Sequence, residues 1–566
     1  MPALIQIEKF IGGLHLDSTT SNLQMDPSDC LAATNVEYYP RGTISRREGY
    51  QSLNMTGGPL TGVMNVFPWK DSTNSNVTLV YTSTSGANVS GDVYTISLAG
   101  TTLTPTKVFS AHKYGSTVWS PNLTSDQVHV ASYGGSALAV YGGNAFPLIY
   151  ASTPGCALPC SGATVTTSPP SGAKYICAWG NYVFVANHLV GGTRKYSRVQ
   201  WNSNGSIYDW PSSYYIDLDS DDGDEITGMC LLHDYLVVFK KKKIFMIYWV
   251  GGTLLFKEAR RSSTIGTISG RSVVENEGKL YFVASDGAYT FDGTTVKEIS
   301  KKVKSIFTEN LVQNRARCIN AGKYRPHRQI WFAYPDTAGW AASLADDYQT
   351  ADRVLVYDWE LDNWCQYTLS LTYFGPMVNA NDELYSSLTS SYSTYNRTIA
   401  SFAGAESEMY IMGHANYDNT VYKNCLSWFG GSDSDKVYTS GSSTLGSKIS
   451  SEWKSIWFDQ GEPNINKRFT RVVTIADAKA STTSAAVTLE VRENWESNYY
   501  TDRDGNASQY SLSLTGSNTS LPKELRTDNS RTARAFQFLY TQTASGQPWT
   551  IHKLLVEGRT AGRTKV

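Results

Sequence analysis

Residues 281–299 read Tyr281-Phe282-Val283-Ala284-Ser285-Asp286-Gly287-Ala288-Tyr289-Thr290-Phe291-Asp292-Gly293-Thr294-Thr295-Val296-Lys297-Glu298-Ile299. Two short apolar runs, Tyr281–Ala284 and Ala288–Phe291, are split by Ser285-Asp286-Gly287, and Asp292-Gly293 releases a third, Val296–Ile299. Asp-Gly between alternating apolar runs marks a tight hairpin, because Gly enters the positive-φ region without a Cβ clash. Three small strands in about twenty residues make most of a propeller blade. Looser copies recur along the chain, which predicts a large all-β, repeat-built protein.

Composition agrees. The chain has 566 residues, long enough for several domains unless blades of about 40–45 residues add around one axis. Its 36 Tyr and 15 Trp suit pleated surfaces, and its 46 Gly supply turns. Forty-nine basic residues nearly balance fifty acidic ones, for a net charge of -1, which argues against a general nucleic-acid binder. The most apolar region, Tyr235–Val250, is cut by Lys240–Lys243, well short of the roughly 20 unbroken residues that a bilayer requires. No signal-cleavage pattern opens the N-terminus, so synthesis in a cytoplasm without signal-directed export is expected.

Three regions follow from the pattern. Residues 1–60 read as an extended arm with a hairpin, Asn35–Tyr38 returning through Pro40-Arg41-Gly42 into Thr43–Tyr50, after a turn or helix start at Asp26-Pro27-Ser28-Asp29. Residues 61–440 alternate short strands with turn residues at blade-like intervals and predict a β-propeller of six or seven blades. Ile226–Leu232, Tyr235–Phe239 and Ile244–Val250 form one such blade, and a weaker unit at Thr398–Tyr422 ends the series. Residues 441–566 change to longer alternating strands, among them Thr470–Ile475, Val487–Val491 and Ala533–Tyr540, and predict a β-sandwich-like domain.

No catalytic signature stands out, and neither a cofactor nor a metal is assigned. The eight His are dispersed singly. Of the eight Cys, only Cys156 and Cys160 are close, where a local disulfide or a metal pair are both open; free buried thiols are the default elsewhere. Asp217-Leu218-Asp219-Ser220-Asp221-Asp222-Gly223-Asp224-Glu225 has the alternating carboxylates of a calcium loop. Its Gly falls at the seventh position rather than the sixth, however, and the distal Glu is missing, so an acidic turn between blades is the better reading. Two basic clusters are candidate interfaces: Arg41, Arg46 and Arg47 on the arm hairpin, and Lys240, Lys241, Lys242 and Lys243 between two apolar strands. The lysines read as a solvated hairpin tip, or as a contact with an acidic loop such as Asp219–Glu225 of a neighbouring subunit. Charge reversal at Arg46 and Arg47 is expected to impair docking without unfolding the subunit.

These residues resemble a family. Gly12-Gly13-Leu14, Asn35-Val36-Glu37-Tyr38 and Gly42-Thr43-Ile44-Ser45-Arg46-Arg47-Glu48-Gly49-Tyr50 are similar to the opening of tail proteins of short-tailed bacteriophages. Arg198-Val199-Gln200-Trp201-Asn202-Ser203 with Asp209-Trp210, Asp222–Met229 followed by Tyr235–Lys240, Gly278–Gly293, and Val356-Tyr357-Asp358 with Trp364 extend the likeness over residues 10–370. It implies a non-enzymatic tail nozzle, or hub, subunit of the virion tail. Such subunits form a homo-hexameric ring below the head-to-tail adaptor, carry tail fibres or spikes, hold a channel plug or needle, and meet genomic DNA only in transit. The competing reading is a carbohydrate-binding or glycan-hydrolysing propeller for host recognition, which would use exposed Trp and Tyr and paired carboxylates.

Overall fold

The computed structural model describes residues 3–563 outside 17–24, 53, 56–59, 61, 71–75, 84–90, 100–101, 111–126, 143–147, 152–154, 158–166, 168, 253, 339–350, 379–407, 419–420, 433–434, 436–437, 440–441, 444–448, 479–483, 499–508, 516–522 and 543–547. The quoted stretch is blade five: Val274–Asn276, Lys279–Val283, Ala288–Phe291 and Val296–Glu298 pair in order as a four-stranded antiparallel sheet. Ala284 N–H donates to Gly287 O (2.8 Å), and the Asp292 carboxylate accepts from the Thr294 and Thr295 N–H groups, so both turns close locally as their residues predict.

The same unit repeats around a ring. Blade one comprises Val63–Lys70, Asn76–Ser83, Gly91–Ala99 and Thr102–Ser110, with Asn54–Met55 at its edge. Blade two comprises His129–Tyr133, Ser136–Val140, Leu148–Ala151 and Gly155–Ala157. Blade three comprises Tyr175–Trp179, Tyr182–Val190, Thr193–Trp201 and Tyr215–Asp217. Blade four comprises Ile226–Leu232, Tyr235–Lys240, Ile244–Gly251 and Leu255–Ser262. Blade six comprises Asn320–Tyr324, Gln329–Tyr334, Arg353–Asp358 and Asn363–Tyr367. The first strands of successive blades are neighbours in order, and the ring closes where Tyr373–Val378, opening blade seven, meets Val63–Lys70. The described residues thus form seven blades.

Blade seven is completed from the other end of the sequence. Tyr373–Val378, Glu408–Asp418 and Val421–Ser432 take Gly49–Ser52 as their outermost strand, with Phe429 opposite Tyr50 and Ser427 opposite Ser52. The last blade therefore begins in the arm, and residues 398–407 of the sequence-predicted final unit lie outside the described residues.

The C-terminal region is two packed sheets, and the arm supplies strands to both. One sheet runs Val36–Glu37, Ile44–Arg46, Trp549–Arg563, Ile465–Ala478 and Lys523–Ala533, with Ala3–Ile7 also on Trp549–Arg563. The other continues blade six: Asn363–Tyr367 meets Asp29–Thr34 through Thr34 and Gln366, then Ser451–Ser455, Phe536–Gln542, Ser484–Glu493 and Gln509–Thr515 follow. The sheets meet face to face at Phe469 on Phe536 (ring centroids 4.8 Å) and at the Thr474–Tyr540 hydroxyl pair (2.8 Å). One apolar core runs from arm residues Ile5, Phe10 and Val36 through Trp331 and Trp364 of blade six to Trp453, Phe538 and Val556. The arm is therefore a clasp between propeller and sandwich rather than a free extension.

Candidate docking surfaces

The arm hairpin forms as its turn chemistry predicts. Val36 faces Arg46, Glu37 faces Ser45, and Thr43 N–H closes on Pro40 O (3.0 Å). Its basic residues then part company. Arg41 stays at the surface, its side chain 63% exposed, and binds Glu360 at 2.8 Å, where Arg328 also pairs. Arg46 and Arg47 are buried, which corrects their assignment as an exposed docking cluster. Arg46 donates to Gln542 Oε1 (3.3 Å) on the sandwich. Arg47 holds Asp435 through two parallel bonds (2.9 and 2.7 Å), donates Nε to Asn35 Oδ1 (2.9 Å) and Nη1 to Glu48 O (2.9 Å). Burial works against its charge, but the Asp435 carboxylate outweighs that, so the Arg47 pKa rises. The physical reason for the correction is tertiary: the hairpin pairs with the sandwich through Ile44 and Ser45, and its side chains reach blade six at His327 and Tyr367.

Asn35 is the hub of that junction. It sits at φ 53, donates to Thr368 Oγ1 and Ser450 O, and accepts from Arg47 Nε and Thr368 N–H. Beneath the hairpin, Glu37 meets His327 at 2.8 Å, and Tyr39 stacks on that imidazole at 3.9 Å. His327 is thus satisfied by a buried carboxylate. Nearby, burial lifts the Asp358 carboxyl to about 6.

The lysine run belongs to a different environment. Lys240 ends a strand of blade four opposite Ile226 and is fully buried, so it is not part of a solvated tip. Its ammonium donates to Asp219 O (3.0 Å) and to both Asp222 oxygens (2.8 and 2.9 Å). Lys243 pairs with Asp219 and Asp222, and Lys241 with Glu225, all at 2.8 Å. The Asp224 carboxylate accepts from the backbone N–H groups of Lys241 and Lys242. The acidic loop expected on a neighbouring subunit is thus the chain's own, and its carboxylates hold ammonium groups where a calcium loop would hold a cation. Burial opposes the charge of Asp222, but hydrogen bonds from Lys240 and Lys243 overcome it and hold the carboxyl down at about 2. Lys242 remains exposed.

Beside this loop, a groove of ≈ 470 Å³ runs along the outer edge of blade three, lined by Lys195, Tyr196, Arg198, Asp217, Asp224 and Lys241 among others. The edge is open because Tyr215–Asp217 covers only Arg198–Gln200 of Thr193–Trp201. Arg198 is committed there, bidentate to Asp217 (2.7 and 2.6 Å), with its guanidinium 3.5 Å from the centroid of the Tyr215 ring. Its Lys and Arg residues blunt the edge against further strand pairing.

Sequence reading missed the residue at the propeller's axis. Arg271, in the connection between blades four and five, donates to Met64 O of blade one (2.8 Å) and Thr372 O beside blade seven (2.6 Å). Burial lowers its pKa to about 10, and burial beside that cation holds His129 down at about 3, hence neutral. The backbone crowds here too. A Cβ on Gly270 would lie 2.5 Å from Thr227 O, and one on Gly228 would lie 2.9 Å from Gly270 Cα. The axis is occupied by this chain's own connection. Neither the hydrophobic pattern nor any motif marks Arg271, because its partners lie about 100 and 200 residues away.

Cys30, buried, and Cys230, half-buried, are free, and burial pushes both thiols up to about 12. Cys160 and the Cys156 side chain lie outside the described residues. Among the described residues no three His, Cys, Asp or Glu side chains converge as a metal site, and no helix is long and apolar enough to cross a membrane.

With the architecture in hand, the class is plain: an all-β propeller with a sandwich clasped to it. No protein-family model matches the chain, and no curated protein does. Solved structures with some likeness include a streptogramin B lyase (14% identity, TM-score 0.34, covering 57% of this chain and 88% of that one). A glucose dehydrogenase is similar at 12% identity and TM-score 0.26, covering 52% of this chain and 98% of that one. An exo-β-1,3-galactanase from Phanerochaete chrysosporium is similar at 8% identity and TM-score 0.21, covering 88% of this chain and 100% of that one. Scores this low say nothing about activity, and the fold assignment stands on the sheet topology.

Proposed function

We propose that this chain is a non-enzymatic structural subunit of a short phage tail: a tail nozzle protein, assembled as a homo-hexameric ring below the adaptor and serving as a conduit for genome ejection. The observation that carries the reading is where the phage-like motifs fall. Asn35, Glu37, Arg47 and Tyr50 sit in the clasp that joins propeller to sandwich. The stretch that resembles those tail proteins lies in a composite architecture, which supports a structural role. An axis filled by Arg271 and its connection is compatible with a conduit only if DNA passes between subunits. A ring closed by heterologous contacts would provide that passage. Adaptor, fibres or spikes, and a plug or needle are the partners of this reading, and its location is the virion tail, after synthesis in the bacterial host cytoplasm.

Electron microscopy of the purified protein and of tails from the source phage tests it. The expected result is a six-fold ring below the adaptor, its central passage aligned with the portal and bounded by several propellers. A peripheral copy on the tail, or a monomer at every concentration with no copy in the tail axis, would overturn it.

A further inference from the structure

One end of the sandwich carries two tryptophans that the core does not absorb. Trp457 precedes Phe458, which bridges Phe536, and the strand Ser484–Glu493 pairs its last residue, Glu493, with the same Phe536. Trp457 and Trp495 therefore meet at one end of this sheet, with ring centroids 6.3 Å apart and planes inclined by 39°. Trp495 is 43% exposed.

The turn that presents Trp495 is left-handed at two successive non-glycine residues, Asn494 (φ 51) and Trp495 (φ 64). A bulky aromatic in that region costs on the order of 1–3 kcal/mol and persists only where its surroundings fix it. They do so here: Asn494 N–H donates to Ala535 O (3.1 Å), Asn494 Oδ1 accepts from Arg534 N–H (2.9 Å), and Glu496 N–H donates to Glu493 O (3.0 Å). The backbone is committed to holding an indole in solvent.

Polar groups beside this turn are uncommitted. The Glu496 carboxylate and the Arg534 guanidinium are exposed, and neither side chain bonds to a described residue. Glu493 is 94% buried, yet its Oε1 has no hydrogen-bond partner among the described residues. Burial raises the Glu493 carboxyl to about 7, with Arg531 opposing and Glu496 adding to the shift.

We propose that this end of the sandwich is a saccharide-binding site, with a sugar ring seated on Trp495 and Trp457 and its hydroxyls bonded to Glu496 and Arg534. A pyranose matches both halves of the surface. Its axial C–H face is apolar and suits an indole, while its rim of hydroxyls both donates to a carboxylate and accepts from a guanidinium. A wholly apolar partner would leave both charged groups desolvated and unpaired. The proposal does not rest on the ring reading.

The full-length protein is applied to an array of lipopolysaccharide O-chain and capsular oligosaccharides, and affinities for retained oligosaccharides are then measured by titration. The expected result is retention of a subset, weakened about tenfold or more by Trp495→Ala, as for other buried-on-binding aromatic anchors, and unchanged by Trp249→Ala on blade four. Glu496→Gln and Arg534→Gln, surface changes that leave the core intact, should each weaken binding, with circular dichroism and melting as for the native chain. Retention of no oligosaccharide would overturn the proposal, as would native affinity in both Trp495→Ala and Arg534→Gln.

Discussion

Arg46-Arg47 and Lys240–Lys243 look alike on paper, two basic runs beside apolar strands, and the fold treats them in opposite ways. Arg47 is sealed at a three-way junction, its Asp435 partner 388 residues away. Lys240 is also sealed, but its partners Asp219 and Asp222 come from a loop 21 and 18 residues upstream, at a rim where Asp222 keeps 17% exposure. The first cluster is a cross-chain bolt; the second staples one blade to its neighbour. The difference teaches that a run of charge reports a need for partners, while the distance to those partners decides how much of the fold depends on it.

The largest expected effect follows from the bolt. Arg47→Ala removes the donor to Asp435 and Glu48 O and leaves Asn35 Oδ1 with Thr368 N–H alone, and breaking one side of a buried pair costs about 3–5 kcal/mol. Urea unfolding should show that loss, with Asp435→Ala falling in the same range and the double variant recovering part of it. Charge reversal at Arg46 and Arg47 is correspondingly expected to prevent folding rather than docking. A variant that unfolds like the native chain would remove the clasp from the stability argument.

Arg271→Met sharpens the contrast, since that half-buried cation is held by carbonyls. Two carbonyls lose a donor, but the desolvated charge disappears as well, so a loss of about 2 kcal/mol is expected, smaller than at Arg47. A loss equal to that of Arg47→Ala would mean that the axis, not the clasp, is the weakest point.

How much of this was legible follows the same divide. Ala288–Phe291 and Ile226–Leu232 were readable to the residue, because a hairpin's pairing is written in its own alternation and turn. The hairpin Val36–Arg46 was readable for the same reason. Gly49–Ser52 as the edge of blade seven was not, nor was Ala3–Ile7 on Trp549–Arg563, since strand partners hundreds of residues apart leave no local mark. The candidate interface suffered most. Exposure was inferred from charge, and Arg46, Arg47 and Lys240 each had a distant or rim carboxylate or amide waiting.

The staple has a pH signature. Asp222 is held at about 2, below its ordinary 3.8. A carboxyl whose folded pKa is depressed adds stability that is full above the unfolded value and is lost as pH falls through the folded one. Native stability should therefore decline between about pH 4 and pH 2 in part through Asp222, and Lys240→Met should flatten that slope. Because water reaches Asp222, the loss at pH 7 should be modest, on the order of 1–2 kcal/mol. An unchanged acid limb in Lys240→Met would assign the slope to other carboxylates.

The smallest effect belongs to the one lysine of the run whose side chain makes no ion pair with a described residue. Lys242 is exposed, and the Asp224 carboxylate holds its backbone N–H rather than its ammonium, so Lys242→Ala should move stability by less than about 0.5 kcal/mol. That neutrality makes it the cleanest probe of the surface itself. If the rim of blade four touches another subunit in a ring, Lys242→Glu should change ring yield in electron micrographs while leaving the melting curve where it was. If ring yield also stays constant, the rim faces solvent, and the lysine run serves the blade alone.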